Sequence, residues 1–233
     1  AITIGSTNVG ANGIIGGWAT FNGVDWATGS GSAITALASY NISFPATGAT
    51  AAANYSLTGS QTVTASQTIN SMKFAPASGT QTITINSGFT QTVTSGGLLF
   101  DNTNGSATIT GAGQWGATGA EVMVHTWGGG DVTTNKLTLN GVIKGAASVI
   151  SKSGPGTLVL SGTNTYTGAL IINAGTVEFA NGSATGQNLG SPTAGAGNIL
   201  LNGGTLRPTA TGNLIFGITV NGFATLHTPT GVT

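Results

Sequence analysis

The chain has 233 residues, of which 39% are hydrophobic and 4% are charged, and its formal net charge is zero. A neutral chain has no electrostatic reason to bind nucleic acid or an anionic membrane, and no apolar run approaches the roughly 18 residues of a membrane-spanning helix. The absence of cysteine excludes a disulfide framework, and the 40 glycines show no collagen-like period. The length suits one large all-β domain or two small ones.

The first sixty residues have the least regular pattern. We predict a short strand at residues 1–4, a buried strand with a glycine bend at residues 14–21, and a further strand region at residues 34–44. We expect residues 1–60 to form either the first coils of a repetitive structure or a cap, because repeat proteins protect their exposed ends. The chain does not begin with a basic and apolar leader, so we interpret it as a mature or partial product.

From residue 61 onward, β-branched apolar residues alternate with threonine. Val63, Ile83, Ile85 and Val93 are predicted to face a core, because successive side chains of a strand point to opposite sides. The threonines between them would then face outward and stack on those of neighbouring strands. Such a surface is polar without being charged.

One pattern recurs along the chain: a short apolar strand, an asparagine, a small residue and another strand. The asparagines are Asn70, Asn86, Asn140, Asn173, Asn202 and Asn221. Asparagine before a small residue favours a left-handed or hydrogen-bonded corner. Short strands with sharp corners and loops of variable length indicate a β-solenoid. We predict an all-β, right-handed parallel β-helix of roughly ten coils, a single domain over residues 1–233 with its regular coils over residues 61–233.

The most regular stretch, residues 154–177, reads GPGTLVLSGTNTYTGALIINAGTV. It resembles the autotransporter-associated β-strand repeat, also called the passenger-associated transport repeat. The segments 13–27, 66–75 and 121–127 resemble large bacterial surface proteins that carry this repeat. The resemblance implies a secreted bacterial protein with a β-helical shaft, located outside the cell or on its surface. It brings no catalytic residues with it.

Acidic residues and histidines are the candidates for chemistry. The five carboxylates are those of Asp25, Asp101, Glu121, Asp131 and Glu178. Glu121 and His125 share one face of a predicted strand, where they form an acid–base couple, half of a metal site, or a partly exposed polar pair on a coil. We favour the polar pair, because no zinc, calcium or nucleotide motif accompanies it. We therefore predict no enzyme, and no catalytic, cofactor-binding or metal-binding residues.

Other conspicuous side chains have similar alternatives. The tryptophans, Trp18, Trp26, Trp115 and Trp127, suit either a sugar-stacking platform or packing in the core and caps, and we favour packing. His227 stands alone at a strand end. Lys144 and Lys152 flank a predicted strand, and we expect a solvated face there.

The functional expectation follows from the ends of the predicted helix. Residues 1–4 and 223–228 look like strands without the charges or prolines that usually guard a sheet edge. We therefore favour a secreted structural protein whose copies stack head to tail through these strands into an extracellular filament or surface layer. The alternative is an adhesin or glycan-binding shaft of a larger surface protein, with cell-surface glycans as partners. A carbohydrate-active enzyme is the third hypothesis, weakened by the lack of clustered acids.

Overall fold

The computed structural model describes residues 9–10, 12–30, 33–45, 48–119, 121–128, 130–144, 149–180, 182, 187–190, 199–211 and 214–227. Every regular element among these residues is a β-strand. The predicted strand at residues 1–4 lies outside the described part of the chain.

A small antiparallel sheet comes first. Its three strands, in order, are β1 (Thr20–Phe21), β2 (Asp25–Ser30) and β3 (Ala33–Ala36). Between β1 and β2 the chain turns at Asn22 and Gly23, both with left-handed backbone angles (φ 54° and 75°). Asparagine followed by glycine is the usual sequence of such a hairpin turn.

The remaining strands form three parallel sheets, A, B and C. Sheet A stacks β4 (Asn54–Leu57), β7 (Ser71–Phe74), β10 (Gly97–Asp101), β13 (Glu121–Trp127), β16 (Val149–Ser153), β18 (Leu170–Ile172), β20 (Ile199–Leu201) and β22 (Ile218–Val220). Sheet B stacks β5 (Gln61–Val63), β8 (Gly79–Ile85), β11 (Gly105–Thr110), β14 (Lys136–Leu139), β17 (Thr157–Leu160), β19 (Thr176–Phe179), β21 (Gly204–Pro208) and β23 (Ala224–Leu226). Sheet C stacks β6 (Gln67–Ile69), β9 (Thr90–Val93), β12 (Gln114–Ala117) and β15 (Val142–Ile143).

The order of the strands is that of a parallel β-helix, which confirms the predicted fold class. Each turn of chain, or rung, supplies one strand to sheet A and one to sheet B, and the first four rungs also supply one to sheet C. The described residues contain eight such rungs, from β4 to β23, and we call this stack the shaft. The right-handed sense remains an expectation from the general preference of parallel crossovers.

The interior of the shaft is filled by the predicted alternation. Val63, Ile83, Ile85 and Val93 are each at most 2% exposed and belong to one continuous apolar cluster. The intervening threonines pair in register, for example Thr62 with Thr84 and Thr68 with Thr92. The apolar columns stabilise the rungs by burial, and the parallel register brings like residues together on the outside.

The recurrent asparagines mark three different corners. Asn70 precedes sheet A, Asn86 and Asn140 follow sheet B, and the last three follow sheet A. This explains the irregular spacing of the pattern, because the asparagines do not recur at one place in each rung. The left-handed alternative for these corners is wrong for Asn173 and Asn202, since Asn22 is the one non-glycine residue with positive φ in the described chain.

The hydrogen-bonded alternative is correct at the corner between sheets A and B. Asn202 Nδ2 donates to Asn173 Oδ1 at 2.9 Å, and Asn221 Nδ2 donates to Asn202 Oδ1 at 3.0 Å. The left-handed positions are taken instead by Gly175 and Gly204, with φ of 71° and 77°. Glycine carries no steric penalty in this conformation, so it makes the bend while the asparagines form a ladder.

The N-terminal segment lies against the side of the shaft. Trp26 and Ile14 pack on Leu99, whose side chain faces outward from sheet A. Asp25 binds Lys73 on the same outer face. The antiparallel strands β1, β2 and β3 therefore lie beside the stack of coils.

The end of the shaft nearest the N-terminus is covered by the chain that leads into it. Asn41 forms a parallel bridge with Tyr55 of the first rung, and the ring of Phe44 packs on Tyr55 at 5.2 Å between centroids. At the other end, Val220 and Leu226 are 59% and 55% exposed. The two ends of the described shaft therefore differ: one is covered and the other is open.

Candidate binding shelf at one corner of the shaft

Glu121 and His125 do not form the predicted polar pair. Both lie in β13, and four residues of extended strand separate them by about 13 Å. His125 is buried; its Nε2 lies 2.9 Å from the carbonyl oxygen of Gly17, and its ring meets Trp26 edge-on at 5.9 Å. Burial lowers the pKa of His125. This histidine is a packing residue beneath the N-terminal segment.

Two carboxylates are held in ion pairs. Asp25 Oδ1 accepts a hydrogen bond of 2.5 Å from Lys73 Nζ. Glu178 is 4% exposed and binds both Lys136 and Arg207. A buried carboxylate with two cationic partners keeps its charge compensated, so these acids have a structural role.

The remaining candidates stand apart from one another. Asp101 and Asp131 each accept hydrogen bonds from the threonine two residues later, which closes their own loops. His227 and Lys144 are exposed at the surface. Within the described residues, no group of three His, Cys, Asp or Glu side chains is placed to hold a metal ion.

Lys152 contradicts the expectation of a solvated face. Its side chain points into the shaft and is fully buried. Its Nζ donates to the carbonyl oxygens of Ser153, Gly154 and Ala174 at 2.9, 2.8 and 3.1 Å. Burial lowers the pKa of Lys152 to about 7. Lys152 therefore binds the corners of two successive rungs, rung five at Gly154 and rung six at Ala174, from inside the shaft.

The four tryptophans divide between core and surface. Trp26 and Trp115 are at most 1% exposed, which confirms packing for these two. Trp18 is 65% exposed on the N-terminal segment, and Trp127 is 36% exposed at the end of β13. Part of the Trp127 ring packs against two glycines: a side-chain carbon on Gly23 or on Gly154 would come within 2.8 Å of it.

Beyond Trp127 the corner between sheets A and B is built from small residues. In the next three rungs it contains Gly154–Gly156, then Ala174 and Gly175, then Gly203 and Gly204. Small residues leave a flat floor, and Trp127 stands at one end of it. A cavity of about 540 Å³ lies on this floor, lined by Trp127, Gly154, Pro155, Ala174, Gly175, Thr176, Gly204 and Thr205. We call these eight residues the corner shelf.

The far end of the shelf is marked by Phe223. The register pairs Leu201 with Val220 on sheet A and Thr205 with Thr225 on sheet B. Three residues therefore form the corner of rung seven, whereas four form the corner of rung eight. The longer corner pushes Phe223 outward, and its side chain is completely exposed.

Three polar groups on the shelf have no hydrogen-bond partner among the residues that the structure describes. The indole Nε1 of Trp127 and the hydroxyls of Thr176 and Thr205 make no hydrogen bond in the described part of the chain. Thr176 and Thr205 are aligned in register on neighbouring rungs. No charged residue lines the shelf. The site therefore offers an aromatic ring and uncharged hydrogen-bonding groups.

Sequence reasoning noted Trp127 but missed the shelf. Its signal is the pair Gly-Thr before an apolar residue, which occurs at Gly156, Gly175 and Gly204. Each occurrence starts a strand of sheet B, so the glycines and the threonines form separate columns. The repeated Gly-Thr pair is enough to predict the columns of glycines and threonines, but it does not predict that Trp127 lies beside them.

Comparison with known proteins identifies the repeat. Residues 150–179 match the family model described as Passenger-associated-transport-repeat. The chain is 38% identical to "Adhesin BmaC autotransporter" of Brucella suis biovar 1 (strain 1330) over 120 residues. The match covers 51% of this chain and 3% of the length of that protein. No solved structure matches the chain.

These similarities confirm the resemblance found in the sequence. The chain carries an autotransporter-associated repeat, which spans rungs five and six and includes Lys152 and part of the shelf. The similarity to an autotransporter adhesin points to a location at the cell surface or in the extracellular space. Among the described residues, no helix is long and apolar enough to cross a membrane.

Proposed function

We propose that this chain is a β-helical shaft segment of a bacterial adhesin, and that the side of the shaft takes part in attachment. The observation that carries the proposal is the uninterrupted stack of eight rungs around one apolar interior. Seven spacings of about 4.8 Å make this stack about 34 Å long. A solenoid of this kind presents an extended side surface to its partners.

The chemistry of the surface supports contact-dependent attachment. The chain has five cationic and five anionic side chains, and several of these are paired or buried. Long-range electrostatic attraction therefore contributes little to the choice of partner. Contacts made by hydroxyl and aromatic groups determine that choice instead. A non-enzymatic role is part of the proposal, supported by the similarity to an adhesin and by the separation of the acids described above.

The test is adhesion of the purified chain. Fluorescent beads coated with the 233-residue chain are incubated with cultured epithelial cells, beside beads coated at equal density with an inert protein. We expect the chain to increase bead retention, and soluble chain to compete the increase away. Equal retention of the two bead types would contradict the proposal.

Self-assembly into a filament is the second candidate function. Three exposed apolar side chains of rung eight favour it, those of Val220, Phe223 and Leu226. The strands β22 and β23 also have one free edge each in the described chain. A further rung from another copy would bury these side chains and extend both sheets. The covered first rung disfavours it, since Asn41 and Phe44 would have to move aside.

A proline on the free edge tests assembly. The amide of Asn221 donates to Leu201, inside the molecule. Because amides alternate in direction along a strand, the amide of Val220 faces the free edge. Val220→Pro therefore removes an edge donor but no internal hydrogen bond, and Val220→Ala is the matched control. We expect filaments in electron micrographs of the parent and the alanine variant only; filaments in all three, or in none, would contradict assembly through this edge.

A further inference from the structure

The floor of the corner shelf has no space for larger side chains. Gly175 and Gly204 have left-handed backbone angles, and a side-chain carbon on either would lie within 2.5 Å of a backbone oxygen. Lys152 Nζ holds the carbonyl groups of Gly154 and Ala174 from beneath. The floor therefore cannot carry larger side chains.

We infer that the corner shelf binds a neutral oligosaccharide laid along the shaft axis. This inference rests on the proposed adhesin function and names its ligand class. A sugar ring has an apolar face that stacks on an aromatic ring and hydroxyls on its edge that pair with polar groups. Trp127 supplies the ring and the indole N–H, and the hydroxyls of Thr176 and Thr205 supply further uncharged partners.

The dimensions of the surface fit a chain of sugars. Trp127 belongs to rung four and Phe223 to rung eight, so the two exposed aromatic side chains are separated by four spacings, or about 19 Å. Between them the corner is small and flat over three rungs. An oligosaccharide lying on this floor would reach a second aromatic contact at Phe223.

Two other ligand classes fit less well. An acidic ligand would find no cationic side chain in the lining. An extended peptide usually binds by adding a strand to a free sheet edge. The shelf has no such edge, because the amide of Thr176 donates to Gly156 and the amide of Thr205 donates to Gly175. The backbone is already satisfied between rungs, so side chains must carry recognition.

The experiment begins with a printed array of neutral, sialylated and sulfated oligosaccharides probed with the purified chain. Calorimetry with the strongest neutral binder then gives the dissociation constant. Trp127→Ala should weaken binding about tenfold, the upper value for one aromatic contact. Thr176→Val combined with Thr205→Val should weaken it several-fold through lost hydrogen bonds. Trp18→Ala removes an exposed tryptophan from outside the shelf and should leave the constant unchanged.

Variant folding is checked by circular dichroism and thermal unfolding. Phe223→Ser provides a variant whose side chain is completely exposed, so it cannot disrupt the core, and it should also weaken binding. Binding that is unchanged in the Trp127 and threonine variants would overturn the inference. Array signals confined to acidic glycans, or no signals, would overturn it as well.

The results separate this inference from the proposed function. Beads coated with the Trp127→Ala variant should be retained less by cells than beads coated with the Trp18→Ala variant. If both variants adhere equally, the adhesin proposal stands and the shelf is not its ligand site. If the parent binds a neutral oligosaccharide through the shelf but does not increase bead retention, the shelf stands and the adhesin proposal fails.

Discussion

At the scale of single residues, Lys152 is the least expected feature of the shaft. It occupies an inward position of sheet A, in register with Val124 on one side and Ile172 on the other. A fully buried ammonium group is costly unless its donors are satisfied, and here three carbonyl oxygens accept from it. These three hydrogen bonds therefore offset part of the free-energy cost of removing the ammonium group from water.

Lys152 predicts how stability depends on pH. Its pKa is about 7 in the folded chain and 10.5 for the ordinary side chain, so between these values the unfolded chain holds a proton that the folded chain lacks. The free energy of unfolding should therefore rise with pH from about 7 to 10, by at most roughly 1.4 kcal/mol per pH unit. Chemical denaturation at pH 6, 7, 8 and 9 measures this, and Lys152→Met should remove the rise. Parallel profiles for the parent and the variant would show that the lysine does not titrate there.

The corner glycines predict a second residue-scale effect. Gly204 has a φ of 77°, and an added side-chain carbon would lie 2.5 Å from the carbonyl oxygen of Gly175. Gly204→Ala should lower the free energy of unfolding by roughly 1–3 kcal/mol, as strained backbone positions do. Gly59 has no neighbour within 4 Å and no positive φ, so Gly59→Ala is the control and should change stability by less than about 0.5 kcal/mol. Denaturant melts of the two variants check this; equal losses would contradict the role of the bend.

At the scale of elements, the antiparallel N-terminal sheet is a separate unit fastened to the shaft. The contacts of the N-terminal segment with the shaft include the packing of Trp26 on Leu99, the Asp25–Lys73 ion pair and the hydrogen bond from His125 to Gly17. For that bond the imidazole nitrogen Nε2 must carry the proton, since a carbonyl oxygen only accepts. These contacts involve strands β7, β10 and β13, so the sheet spans three rungs along the side.

His125 predicts that acid weakens this attachment. Burial lowers its pKa below the ordinary 6.5, so the neutral ring is favoured when the segment is docked. The stabilising contribution is present above pH 6.5 and declines as the pH falls towards the folded pKa. The charged groups Asp25, Lys73, Glu121 and Lys152 lie in the same region, and the comparison therefore needs a matched variant.

Tryptophan fluorescence measures the effect. Acidification from pH 7.5 to pH 5 should shift the emission of the parent towards that of exposed tryptophan, because Trp26 leaves its buried position. His125→Gln retains a side-chain N–H donor but cannot titrate, and its emission should stay constant. An identical shift in both proteins would assign the change to other groups.

At the scale of the whole molecule, the described rungs contact mainly their immediate neighbours. The ion pair between Lys136 of rung four and Glu178 of rung six reaches one rung further, and the N-terminal sheet contacts three rungs. Stability in such a stack is approximately a sum over rungs and their interfaces. On one side of the stack, the first rung is covered by the chain that leads into it, which adds a further stabilising interface. In the described chain, rung eight leaves the side chains of Val220 and Leu226 exposed, and the edge proline tests whether another copy binds there.

Much of the fold follows from local sequence patterns. The alternation around Val63 and Ile83 determines which side faces the interior, and the repeat at residues 154–177 identifies two rungs. The hairpin at Asn22 and Gly23 was also readable, because an Asn-Gly pair between apolar residues is a turn signal. This turn signal indicates an antiparallel hairpin within residues 1–60, where we predicted coils or a cap.

Local sequence patterns are enough to predict the all-β class and the inward and outward faces of the strands, because these depend on a period of two residues and on local turns. The repeat is recognised by its resemblance to a known family. Three features follow only from the folded chain: His125 lies under the N-terminal sheet, Lys152 points inward, and Trp127 and Phe223 stand at the two ends of a flat corner. Those relations join residues from different rungs. Loops of unequal length separate the rungs in the chain, so the neighbours of a residue across rungs follow from register and stacking, which no local pattern specifies.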